Sequence, residues 1–195
     1  MNKFKILAVS TMLALGLWSA AVANTTVIIK TSLGDITVEL FDEKAPLTVK
    51  NFLGYVDNKF YNGTIFHRVI DDFMIQGGGF DQKFSQKPTK SPVANEADKG
   101  VKNDLGTIAM ARTNDPHSAT AQFFINLKAN SFLDHKAKTP AGWGGYCAFG
   151  KVIAGMEVVN KIKAVSTGNR GGHSDVPKKD VIINEIVRVP VPDKK

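Results

Sequence analysis

The sequence holds one cysteine, Cys147, in 195 residues. No disulfide can close within the chain, and a multi-cysteine zinc centre is excluded. Tyrosine and tryptophan are scarce, three and two, against twelve phenylalanines. The four histidines, His67, His117, His135 and His173, include no pair at metal-ligand spacing, so no metal site is expected. A G-x-S-x-G nucleophile turn, a Walker loop and a dinucleotide fingerprint are all missing. Their absence argues against an α/β-type serine hydrolase, a P-loop enzyme and a nicotinamide enzyme, and no cofactor is expected. Charge of one sign is not strongly dominant: the net charge is +7, and Lys3 and Lys5 carry two of those units. The lysines between Lys83 and Lys102 are interspersed with acids and lack alternating aromatics. They read as a solvated face, and no nucleic acid is expected as a partner. With 43% hydrophobic and 22% charged residues, disorder is excluded in favour of a packed domain.

What is present begins with an address. Lys3 and Lys5 precede an almost wholly apolar stretch, Ile6 to Ala20, and Ala21-Val22-Ala23 fits the small-x-small cleavage rule. Residues 1–23 are therefore expected to be a cleaved signal peptide, leaving 24–195 as one soluble, exported domain. The apolar stretch sits near the lower limit for a membrane span and is interrupted by Ser10, Thr11, Gly16 and Ser19. No stable membrane association is expected, and the expected location is the periplasm. Cys147 reads as a small buried apolar residue.

The mature part alternates short strands with two helical patterns. Strands are predicted over Thr25 to Thr31, Gly34 to Leu40, Thr64 to Ile70, Phe73 to Gln76, Thr107 to Ala111, Gln122 to Leu127, Phe149 to Ile153 and Val181 to Val189. Pro46 marks a helix start, and Val49, Phe52, Leu53 and Val56 give its buried stripe, with an end near Asn58. Val158, Ile162 and Val165 mark a second helix. Gly77-Gly78-Gly79 reads as a sharp turn. Phe80 to Asp104 reads as a long surface excursion, His135 to Tyr146 as a Gly-rich loop and Thr167 to Lys179 as a further loop. Many strands and two helices predict a mostly β, closed architecture with the helices over its open ends.

The informative residues are clustered motifs: Phe66-His67-Arg68-Val69-Ile70, Phe73-Met74-Ile75-Gln76-Gly77-Gly78, Met110-Ala111-Arg112, Gln122-Phe123-Phe124-Ile125 and Phe132-Leu133-Asp134. On a strand Arg68 points opposite to its neighbours, so it can emerge on an outer face while Phe66 or Val69 fills the interior. Spacing alone favours core positions for Phe73, Met74, Phe124 and Leu133, and it allows Arg68 to be no more than a surface salt bridge.

In these motifs the sequence resembles the cyclophilin family of peptidyl-prolyl cis-trans isomerases, from Val27 to Val189. Arg112, Phe132, the loop before Tyr146 and the segment Gly168 to His173 are similar to its bacterial periplasmic branch. The resemblance implies an eight-stranded antiparallel closed β-barrel capped by two α-helices, with a groove on its outer wall. It implies Arg68 as the catalytic residue and Phe73, Met74, Phe124 and Leu133 as a proline pocket. Gln76 and Gln122 fall at polar groove positions, Ala111 and Arg112 where the substrate backbone binds, and His67 beside the arginine. Tyr146 stands where many eukaryotic members have histidine, and is expected to give the pocket a flat wall and a hydroxyl. Phe132 replaces a tryptophan that helps bind cyclosporin, so sensitivity to that drug is open. The implied function is acceleration of rotation about X–Pro bonds in unfolded or partly folded exported proteins. Arg68 would hydrogen-bond the prolyl nitrogen in the twisted state. A monomer is the default. A binding module or chaperone that only holds proline-containing segments is the rival, and it would have no need of Arg68.

Overall fold

The computed structural model describes residues 24–99, 101–136 and 144–190. The expected signal segment and the middle of the Gly-rich loop lie outside the described residues. Eight strands close into an antiparallel barrel: β1 (Thr26–Thr31), β2 (Gly34–Leu40), β3 (Thr64–Ile70), β4 (Met74–Asp81), β5 (Thr107–Met110), β6 (Phe123–Asn126), β7 (Ala148–Ala154) and β10 (Ile182–Arg188). Their order around the wall is β1-β10-β3-β4-β6-β5-β7-β2. Closure leaves no free sheet edge in the barrel. The other two strands, β8 (Thr167–Arg170) and β9 (His173–Pro177), form a separate hairpin.

The interior follows from period-two alternation. On β2, Ile36, Val38 and Leu40 are fully buried. Helix α1 (Pro46–Asp57) and helix α2 (Met156–Lys163) flank the barrel, and their buried faces join the same interior cluster through Phe52 and Val159. The Phe52 ring lies 5.3 Å from Tyr61 and 5.2 Å from Phe149 between centroids. Proline opens α1 as expected, but the position before it is Ala45, which has no side chain to cap with. Glu96, from the long excursion, does that work. Its buried carboxylate accepts from both the backbone N–H and the hydroxyl of Thr48, each at 2.8 Å. A negative group there meets the free N–H groups and the positive end of the helix dipole.

A second apolar cluster lies outside the barrel. On the adjacent strands β4, β6, β5 and β7, Ile75, Phe123, Ile108 and Phe149 point inward. Their neighbours Met74, Phe124, Ala109 and Ala148 form the outer cluster with Leu133. Both faces of these strands are therefore buried, as β6 shows along its whole length.

Two expectations are corrected. Gly77-Gly78-Gly79 is not a turn; β4 runs through it to Asp81. Gly78 has φ 81°, and a Cβ there would lie 2.9 Å from both the Phe123 and Tyr61 rings. The glycines let this strand bend tightly over the core. The segment Thr167 to Lys179 is not a loop throughout but carries the β8–β9 hairpin, turning at Gly171 and Gly172, both with positive φ. It lies outside the barrel, so its sequence lacks the alternating apolar signal.

Candidate active site

The site is built where β3, β4 and β6 run side by side. Arg68 on β3 pairs with Gln76 on β4, and Gln76 pairs with Phe124 on β6. The three residues thus form one row across the wall. Arg68 faces outward because β3 carries a bulge. Phe66 pairs with Gly77 and Arg68 with Gln76, so two steps on β3 match one on β4. The extra residue is His67. Strict alternation would put Phe66 and Arg68 on one face. With the bulge, both Phe66 and Val69 enter the interior cluster while His67 and Arg68 line an outer recess.

Beside Arg68 lies a pocket of about 200 Å³. That is below the roughly 300–1,000 Å³ of sites for drug-sized ligands and suits a single ring-sized side chain. Its strand-borne wall is Arg68, Met74, Gln76 and Phe124; its loop-borne wall is Phe73, Ala111, Arg112, Leu133 and Tyr146. Phe73 leads into β4 from the Asp71-Asp72 turn, and Leu133 ends a short 3-10 turn, Ser131–Leu133. Tyr146 packs edge-on against Phe124, with centroids 5.7 Å apart. The floor is apolar and deeply buried: Met74 is 2% exposed, Phe124 4% and Leu133 5%.

The two cations of the pocket differ. The Arg112 guanidinium lies 4.4 Å from the Tyr146 ring centroid and donates to the carbonyls of Gly145 at 3.0 Å and Thr113 at 2.8 Å. It braces the loop-borne wall. Among the described residues, Arg68 has no hydrogen-bond or ion-pair partner, and it lines both the pocket and the outer recess. Gln76 donates from Nε2 to Gln122 Oε1 at 2.9 Å, which fixes the polar rim between them.

Of the residues expected at the site, three lie outside this pocket. His67 and Gln122 line an adjoining recess of about 500 Å³, which shares Arg68 and Gln76 with the pocket. Phe132 is 52% exposed and reaches the site only by stacking on Phe73, with centroids 5.7 Å apart. His67 is buried, and that burial pulls its imidazole down to about 4, with smaller pushes the same way from His173 and Arg68. It is therefore neutral at neutral pH and adds no cation to the two arginines. Sequence reasoning missed Phe80, Gln86, His173 and Ser174 on the adjoining recess. The signal for His173 was its place at the end of the Gly168 to His173 segment, which the resemblance singled out without giving it a role.

This architecture, an eight-stranded closed barrel with two flanking helices and a groove on its outer wall, is the cyclophilin fold. The family model described as cyclophilin type peptidyl-prolyl cis-trans isomerase matches residues 26–188. Peptidyl-prolyl cis-trans isomerase B of Escherichia coli (strain K12) is 60% identical, over 80% of this chain and 94% of that protein. Peptidyl-prolyl cis-trans isomerase A of Dickeya dadantii (strain 3937) is 52% identical, over 94% of this chain and 96% of that protein. A crystal structure of a cyclophilin type isomerase of Cryptosporidium parvum, in the presence of the dipeptide Ala-Pro, matches with a TM-score of 0.69. It is 30% identical and covers 85% of this chain and 99% of that one. The chain belongs to the cyclophilin-type peptidyl-prolyl cis-trans isomerases, and it is an enzyme of that class.

Proposed function

We propose that the chain isomerises X–Pro bonds of exported proteins in the periplasm, after cleavage before Asn24, as a member of the bacterial periplasmic branch. The chemistry needs no covalent step. Nitrogen donates its lone pair into the carbonyl, and the resulting barrier to rotation is about 18–20 kcal/mol. Uncatalysed X–Pro isomerisation takes tens to hundreds of seconds. In the twisted state the nitrogen is pyramidal and its lone pair is free to accept a hydrogen bond.

A guanidinium suits that acceptor, since it stays charged and presents several donors in a fixed plane. In this reading the proline ring enters the pocket against Met74, Phe124 and Leu133. Phe73 and Tyr146 close its sides, and Ala111, Arg112, Gln76 and Gln122 hold the flanking chain. His67 lies along the same chain path, and Phe132 acts through Phe73. Arg68 then donates to the prolyl nitrogen more strongly in the twisted state than in the planar one. Only such differential binding lowers the barrier. The observation that carries the reading is the unpartnered Arg68 guanidinium at the rim of a ring-sized pocket whose floor is Met74, Phe124 and Leu133. The Ala-Pro dipeptide reported with a relative of this fold points to the same substrate class.

The test is an isomerisation assay on an Ala–Pro peptide with the mature chain beside Arg68→Ala. Turnover by the variant is expected at a tenth of wild type or less. Activity within about threefold, roughly 0.65 kcal/mol of barrier, would contradict the role given to Arg68.

A further inference from the structure

The loop-borne wall of the pocket is held by a chain of buried side-chain amides that no pocket residue explains. Asn126, at the end of β6, and Asn130 are fully buried, and Asn103 is 1% exposed. Burying three primary amides is costly unless their polar atoms are paired, and of the six only Asn130 Oδ1 lacks a partner among the described residues. Here every N–H is used. Asn130 Nδ2 donates to the Phe73 carbonyl at 2.9 Å and to Asn126 Oδ1 at 2.8 Å. Asn126 Nδ2 donates to Thr107 Oγ1 at 3.0 Å and to Asn103 Oδ1 at 3.3 Å. Asn103 Nδ2 donates to the Tyr146 carbonyl at 3.2 Å and to Asp134 Oδ1 at 3.3 Å. The amides therefore run head to tail in one direction, an arrangement in which each bond polarises the next.

The two ends of this chain are the carbonyls of Phe73 and Tyr146, two residues that different segments bring to the loop-borne wall of the pocket. Its branch to Asp134 anchors the residue next to Leu133. Backbone bonds complete the frame: Asn130 N–H to Asn103, Leu133 N–H to Asn130 and Tyr146 N–H to Leu133, each at 2.8 Å. The strand-borne wall needs no such frame, because the barrel ladder fixes Arg68, Met74 and Phe124. None of the three asparagines lines the pocket.

We propose that Asn103, Asn126 and Asn130 are positioning residues whose amide chain sets the width of the proline pocket. This rests on the functional reading above. Loosening the chain lets Phe73 and Tyr146 move apart, so the proline ring is gripped less well while Arg68 stays where β3 puts it. Asn130→Ala removes the tie to Phe73. Asn126→Asp keeps the shape and removes the two donors at the centre.

The test compares both variants with wild type in a steady-state isomerisation assay on an Ala–Pro peptide. KM is expected to rise at least fivefold with kcat within twofold. A fall in kcat at unchanged KM, the mark of a merely smaller folded fraction, overturns the proposal, and so does wild-type behaviour. Should either variant fail to fold, the wild-type chain serves. On titration with the dipeptide Ala-Pro, the side-chain amide NMR signals of all three asparagines are expected to shift. Unmoved side-chain amides beside shifting Phe73 and Tyr146 backbone signals overturn the proposal. A wild-type chain that neither turns over nor binds the peptide instead overturns the functional reading, and this one with it.

Discussion

His67 shows burial deciding the state of a single residue. Its imidazole is 4% exposed, lies 4.7 Å from the Phe80 ring, and its Nδ1 has no partner among the described residues. Burial lowers its value from 6.5 to about 4. The folded state therefore binds fewer protons than the unfolded one between those values, and stability rises with pH across that window. Acidification from pH 7 to pH 4 is expected to cost roughly 3 kcal/mol through this residue alone. Urea unfolding of wild type and His67→Asn across that range checks it: the variant's stability should fall less steeply by about that amount, and parallel curves would refute it. Phe124→Ala should weaken Ala–Pro peptide binding, since the ring is 4% exposed at the pocket floor; titration calorimetry with unchanged affinity and an intact fold would remove it from the pocket. The residue types of the site were legible in the sequence motifs. The neutrality of His67 and the bracing of Arg112 were not, because both arise from contacts with distant segments such as Phe80 and Gly145.

Among the elements, one inserted residue does most to shape the site. The β3 bulge at His67 turns Arg68 outward while keeping Phe66 and Val69 in the core. Sequence alternation offered one of those two for the interior, and the bulge delivers both. A bulge depends on the partner strand's register, which no local pattern carries. Strand and helix positions were otherwise readable, since β1, β2, α1 and β3 have clear periodicity. The failures fall where close packing or position outside the core replaces periodicity, at the β4 glycines and the β8–β9 hairpin. The long excursion was legible as a surface segment, but its grip on α1 through Glu96 was not. Glu96→Ala leaves the buried Thr48 N–H without its acceptor and the hydroxyl with Cys147 Sγ alone, at 3.4 Å. A loss of about 1–3 kcal/mol is expected in urea unfolding, with KM for an Ala–Pro peptide unchanged; a stability change under about 0.5 kcal/mol would remove Glu96 as a cap.

Over the whole molecule, chemistry and stability are assigned to different faces of one wall. The barrel interior is a filled apolar core, and the outer cluster of Met74, Ala109, Phe124, Leu133 and Ala148 supplies the groove. The excess of phenylalanine visible in the composition divides between the two, with Phe52, Phe66, Phe123 and Phe149 inside and Phe73 and Phe124 at the groove. Export is tested by expressing the full chain in a bacterial host: the periplasmic fraction should hold a protein whose intact mass begins at Asn24, and an uncleaved cytoplasmic product would refute the address. In the proposed mechanism Arg68 favours the twisted prolyl bond over the planar one. The most direct measurement is the cis-trans exchange rate of an Ala–Pro peptide bound to the enzyme, taken by NMR line shape beside the peptide's Kd, for wild type and Arg68→Ala. Bound-state exchange is expected to slow at least tenfold while Kd changes less than about threefold. An exchange rate that survives the substitution, or a loss wholly accounted for by weaker binding, would contradict it.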